Sequence, residues 1–170
     1  VGSRKHHGGP DQAVYAYTTE DYAWWSKELG EDLDAATFGE NLTIQGFASA
    51  ALFIGDRLRV GRDVLLEVTS PRIPCGTLAG RMGDPQFAKR FAQARRPGPY
   101  LRVIATGDVR TGDGVELDTT NRSNLPLLDL VDLFYDRKAP AKALERALAA
   151  PVAERARTDL EHRLARRRAP

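Results

Sequence analysis

One cysteine carries most of the chemistry this sequence can offer. Cys75 stands in Ser70-Pro71-Arg72-Ile73-Pro74-Cys75-Gly76. Two prolines fix φ on the approach, and Arg72 is placed to hold an anion or to lower the thiol pKa. The thiolate is the nucleophilic and metal-ligating form, suited to a soft metal. The plain alternative is a small buried hydrophobe, since free Cys is among the most buried residue types. A second candidate is His6-His7-Gly8-Gly9-Pro10-Asp11. Adjacent glycines let backbone N–H groups approach an anion, with a His at the edge; a tight turn explains the same residues. A third is Phe38-Gly39-Glu40-Asn41-Leu42-Thr43, which could offer a carboxylate and an amide to a polar heterocycle or merely cap a turn. His6 and His7 are neighbours and point apart on an extended chain, which argues against a shared ion. Dinucleotide, Walker, Ser-elbow and His-Glu-x-x-His fingerprints are absent.

These motifs need a frame. Up to about Asp118, short β-prone runs at 13–18, 41–44, 57–60, 64–69, 100–106 and 115–117 alternate with Gly-Asp turns. The pattern predicts a closed or nearly closed antiparallel β-barrel. One helix is expected at 19–29, capped by Thr18 or Thr19 and stopped by Gly30; a second begins near Asp84-Pro85 and ends at 95–98. From Leu125 the apolar periodicity is helical, divided at Pro140 and Pro151 into three segments. In the first, Leu125, Leu128, Val131, Leu133 and Phe134 share a face. So small a helical unit must dock on the barrel or on a second subunit. The expected division is a barrel at 1–120 and a three-helix appendage at 121–170.

Composition narrows the class. The chain has 170 residues, 42% hydrophobic and 28% charged, with a single Cys. That excludes an intramolecular disulfide and cysteine-rich zinc sites within one chain. The longest near-apolar run, 48–54, is far below the roughly 18 residues of a membrane span, so a reducing cytoplasm is the expected address, with no membrane partner. Net charge is +2. Residues 1–120 carry 14 Lys and Arg against 16 Asp and Glu, and residues 121–170 carry 11 against 7. The basic excess peaks at Arg163, Arg166, Arg167 and Arg168, which reads as a solvated helix end complementing the macrodipole rather than a nucleic-acid site.

Taken in order, the segments His7-Gly8-Gly9-Pro10-Asp11, Phe38-Gly39-Glu40-Asn41-Leu42, Gly55-Asp56 and Pro71-Arg72-Ile73-Pro74-Cys75 resemble those of a MOSC domain, the module named after the C-terminal part of molybdenum cofactor sulfurase. Tyr100-Leu101-Arg102-Val103, Gly112-Asp113 and the helical tail resemble the YiiM-like branch. The resemblance implies a mainly β fold, a MOSC-type barrel with flanking helices, and binding of the molybdenum cofactor, a pterin bearing a dithiolene and a phosphate. It implies that Cys75 ligates molybdenum or carries sulfur. His7, Gly8 and Gly9 then match the glycine-rich segment at the pocket, Phe38, Gly39, Glu40, Asn41 and Leu42 a second wall, and Arg72 with Pro74 the cofactor-binding approach to the cysteine. The implied activity is reduction of N-hydroxylated or N-oxygenated compounds, hydroxylaminopurine-type bases among them, with electrons from a separate redox protein. The alternative is a non-catalytic carrier of cofactor or sulfur. Two departures accompany the resemblance: only Val1 to His6 stand where the family has an upstream strand and Gly-Asp loop, and Gly76-Thr77-Leu78 is smaller than usual. An open barrel edge and the short tail together suggest a homodimer.

Overall fold

The computed structural model describes residues 9–168. Six strands, β1 (Val14–Thr18), β2 (Leu42–Ile44), β3 (Arg57–Val60), β4 (Val64–Pro71), β5 (Pro99–Ala105) and β6 (Val115–Asp118), form one curled sheet in the order β2-β1-β5-β4-β3-β6. The β3–β4, β3–β6, β4–β5 and β1–β5 pairs are antiparallel, while β1 and β2 run parallel, with Ala16 opposite Leu42 and Thr18 opposite Ile44. The expected barrel is therefore a half-barrel with a mixed sheet. A parallel neighbour requires a crossover, and α1 (Thr19–Leu29) supplies it.

Local chemistry accounts for α1. Thr18 Oγ1 accepts from the Asp21 N–H at 3.1 Å, and Gly30 closes the helix at φ 73°. Alternation along β1 sends Tyr15 and Tyr17 to one face and Ala16 to the other. The tyrosine face meets Tyr22, Trp25, Phe38, Leu78, Phe87 and Phe91 in a buried aromatic cluster. Its polar tips are satisfied: Trp25 Nε1 donates to Tyr17 Oη at 2.8 Å, and Tyr17 Oη donates to the Arg96 carbonyl at 2.9 Å.

The other face carries the larger core. There Leu58, Leu66, Val68 and Leu101 pack with Leu130, Leu144 and Leu160 from α4 (Leu127–Tyr135), α5 (Ala141–Leu148) and α6 (Glu154–Arg168). The tail thus docks on the sheet of its own chain. β4 is almost entirely buried, seated between β3 and β5 and under α4, and the Ala153 N–H, just before α6, donates to the Thr69 carbonyl at 3.1 Å. Phe134 is not on the core face that its helical spacing suggests; Leu127, Leu130, Val131 and Leu133 are buried, and Phe134 is 41% exposed. The helix expected from Asp84 begins as a turn, with the Phe87 N–H donating to the Asp84 carbonyl, and α3 proper is Phe87–Ala94. A further short helix, α2 (Gly76–Arg81), follows Cys75 directly.

Candidate active site

β4 runs out of the sheet into the cysteine segment. Pro71 is its last residue, and the Arg72 N–H donates to the Gly98 carbonyl at 3.1 Å, holding the exit beside β5. Gly98 permits this approach. It has φ 65°, and a Cβ there would lie 2.6 Å from the Ala16 carbonyl oxygen and 2.7 Å from the Tyr17 ring. Pro74 then delivers Cys75 in an extended conformation at the start of α2, where its carbonyl accepts from the Leu78 N–H at 3.0 Å. The thiol is half-buried. Burial pushes its pKa up, but hydrogen bonds from the Thr77 hydroxyl and from the Thr77 and Leu78 N–H groups, with the Arg72 charge, hold it below the usual thiol value.

Cys75 and Pro74 line a cavity of about 960 Å³. Gln12, Ser70 and Tyr100 form its sheet side; Leu130, Leu133 and Phe134 of α4 and Ala156 and Leu160 of α6 form an apolar wall, with Arg137, Arg155 and Arg163 among them. Gln12 follows the Gly9-Pro10-Asp11 turn and donates through Nε2 to Ser70 Oγ at 2.9 Å. The residue that follows the Gly9-Pro10-Asp11 turn therefore meets the start of the cysteine segment. Asp11 fixes that turn: its carbonyl accepts from Thr69 Oγ1 at 2.5 Å, and its carboxylate accepts from the Glu154 N–H at 2.9 Å and pairs with Arg102 at 3.0 Å. His7 and Gly8 lie outside the described residues.

The Phe38–Leu42 segment sits beside Arg72 rather than in the cavity lining. Phe38 is fully buried in the aromatic cluster, and its contribution at this place is a carbonyl that accepts from Arg72 Nη1. The Arg72 guanidinium lies 4.8 Å from the Tyr15 ring centroid, and Gly39 leaves room between it and Arg81. Glu40 is buried. Its Oε1 accepts from Tyr22 Oη at 2.6 Å, the Ala36 N–H at 2.8 Å and Thr43 Oγ1 at 2.8 Å, while Oε2 is the one buried side-chain acceptor among the described residues with no donor. Asn41 ties the loop to β1: its Oδ1 accepts from the Tyr15 N–H and its N–H donates to the Tyr15 carbonyl, both at 2.8 Å. Leu42 begins β2, half-buried against the large core.

The residues that sequence reasoning missed are Gln12, Tyr100 and the α4/α6 wall. No local signal marks them, because a helix pattern does not say which apolar positions face a cavity. Of the C-terminal arginines, Arg163 donates to the Leu133 and Asp136 carbonyls at 2.7 Å, Arg167 to the Arg137 carbonyl at 3.0 Å, and Arg168 pairs with Glu145.

A curled β-sheet that delivers one half-buried thiol of lowered pKa into a large cavity walled on one side by helices is the class of site defined here. Among the described residues no cluster of three or more His, Cys, Asp or Glu side chains is arranged to hold a metal. The chain belongs to the MOSC domain family, whose model matches residues 3–116. MOSC domains are associated with the molybdenum cofactor. Within the family it is YiiM-like: it is 34% identical over 117 residues to protein YiiM of Escherichia coli, covering 67% of this chain and 52% of that protein. It is 34% identical over 143 residues to protein YflK of Bacillus subtilis, covering 84% and 64% respectively. A reductase of Gibberella moniliformis matches at 37% over 114 residues, 65% of this chain and 20% of that protein. The chain thus spans less than two thirds of each of these relatives. The crystal structure of YiiM from Geobacillus stearothermophilus superposes with a TM-score of 0.84 at 28% identity, covering 92% of this chain and 80% of the other. No helix among the described residues is long and apolar enough to cross a membrane.

Proposed function

We propose that this protein binds the molybdenum cofactor in the Cys75 cavity and reduces N-hydroxylated compounds, hydroxylaminopurine-type bases among them, with electrons from a separate redox protein. The observation that carries the reading is the acidified Cys75 thiol opening into a cavity near the upper end of the roughly 300–1,000 Å³ typical of ligand sites. The cavity offers one protein thiol suited to the metal, Cys75; Arg72, a side chain suited to an anion, stands beside the cysteine segment and outside the cavity lining.

When bound, molybdenum supplies the two-electron redox chemistry, which no protein side chain can perform alone. Cys75 would hold the metal through its sulfur, and the Thr77 and Leu78 donors with Arg72 lower its pKa toward the ligating thiolate form. Pro71 and Pro74 stiffen the segment so that the sulfur does not wander. Leu130, Leu133, Ala156 and Leu160 of α4 and α6 give the cavity an apolar side.

Elemental and pterin assays of protein from a cofactor-producing host, wild type against Cys75→Ala, test the ligand assignment; equal metal in both refutes it. Turnover of an N-hydroxylated purine with an artificial electron donor tests the reaction. The second reading, a carrier of cofactor or sulfur, draws on the same accessible thiol and predicts bound cofactor or persulfide without turnover.

A further inference from the structure

The wall of the cavity made by α4 and α6 has two features that a purely structural tail would not need. Phe134 is a large apolar side chain, 41% exposed, and it lies in the cavity lining. Its ring is set edge-on against Tyr135 at 5.2 Å, with one face toward the Arg137 guanidinium, 5.7 Å from the ring centroid. A flat heterocycle is the occupant such a ring buries best. Beside it the wall is cationic: Arg137, Arg155 and Arg163 stand against the single carboxylate of Asp159.

These arginines are not equivalent. Arg163 is nearly buried and spends both terminal nitrogens on the Leu133 and Asp136 carbonyls, so it is a fixed charge in the wall. Arg137 is well exposed, and its Nη1 is 3.6 Å from Asp159 Oδ1, an ion pair too long for a good hydrogen bond. Its donors are available to an incoming anion. The positive field continues outward into an adjoining recess of about 570 Å³ that shares Arg137, Asp159 and Arg163 and adds His162, Arg166 and Arg167. On the barrel side the cation nearest the cysteine segment is Arg72, whose Nη1 donates to the Phe38 carbonyl.

We propose that the α4/α6 wall selects the substrate and that the substrate is the nucleotide form of an N-hydroxylated purine, its base stacked on Phe134 and its phosphate held by Arg137. This rests on the reductase reading for the N-hydroxyl group, but the wall itself predicts a binding order that needs no turnover. The phosphate could instead belong to the cofactor, and the two sources separate experimentally.

The test is calorimetric titration of the purified protein, with its pterin content assayed, using adenine, adenosine and adenosine 5′-monophosphate. The monophosphate is expected to bind about tenfold tighter than the nucleoside, a preference that fades with added salt and in Arg137→Gln. Phe134→Ala should weaken all three ligands alike, and Phe134→Trp should restore them. Both side chains are exposed, and the salt dependence of the unmodified protein needs no variant. Equal affinity for nucleoside and monophosphate in the wild type overturns the proposal. So does Arg137→Gln if it lowers pterin content and leaves the preference intact, since the anion would then be the cofactor's. A protein that shows the binding order yet does not reduce N-hydroxylated bases refutes the proposed function and leaves the wall assignment standing. Turnover without the order does the reverse.

Discussion

Replacing Gly98 by Ala tests how the sheet aims the cysteine segment. Two costs add at this position. An L residue held at φ 65° pays about 1–2 kcal/mol. The new methyl would also stand 2.6 Å from the Ala16 oxygen, 2.7 Å from Tyr17 Cδ2 and 2.9 Å from Tyr15 Cε2, two of them ring atoms locked in or beside the aromatic cluster and one a backbone atom. Overpacking of that kind costs about 1–3 kcal/mol more. The total, about 2–5 kcal/mol, corresponds to a loss of roughly 4–20 °C in Tm for a chain of this size. Gly30→Ala is the control, because Gly30 has φ 73° with nothing within 4 Å of a Cβ. It pays only the same conformational cost, about 1–2 kcal/mol. Denaturant melts of the two variants isolate the steric contribution. Equal losses would refute the claim that β1 and β5 are packed to contact at Gly98. Because the Gly98 carbonyl accepts from the Arg72 N–H, Gly98→Ala should also alter the alkylation rate of Cys75, and Gly30→Ala should not.

Three further outcomes follow from the same contacts. Since Cys75 titrates below the usual thiol value, its alkylation by iodoacetamide should rise through an inflection lower than that of the unfolded chain, and Arg72→Ala should move it upward; coincident native and unfolded profiles would refute the assignment. Asp56 is fully buried and accepts from Arg122 at 2.7 and 2.9 Å, with Arg122 one-third exposed, so Arg122→Ala should cost about 2–3 kcal/mol in a denaturant melt while Asp56→Asn in the same chain recovers part of it. Leu160→Ala should cost about 2–5 kcal/mol while far-ultraviolet dichroism and Trp24/Trp25 fluorescence still report one transition; two separated transitions would show that tail and sheet do not share a core.

All six strands lie within a residue or two of the positions read from the sequence, because Gly-Asp turns and alternating residues are local signals. The Thr18 cap and the Gly30 stop of α1 were legible for the same reason. The parallel seating of β2 against β1 was not: nothing within three residues of Leu42–Ile44 says which side of β1 they will join. α2 was missed because Gly76 and Gly80 give it poor helix propensity, and it forms by burying Leu78 in the aromatic cluster. At the site, the cysteine segment was readable, and Gln12, just past the glycine motif, meets it at Ser70. The α4/α6 wall was hidden because Phe134 fits a core heptad as well as a cavity lining.

Asp11 also bears on how quickly the chain can fold. It joins Thr69, Arg102 and the start of α6, the last of these across 143 residues, and Tyr15 Oη reaches the Pro97 carbonyl across 82. Contacts of such span form only after long loops have closed, so they are expected to form late in folding. The β1–α1–β2 crossover can form early, but the pairing of β1 with β5 must wait for most of the chain. Asp11→Ala should therefore quicken unfolding far more than it slows folding, the mark of a contact made after the transition state.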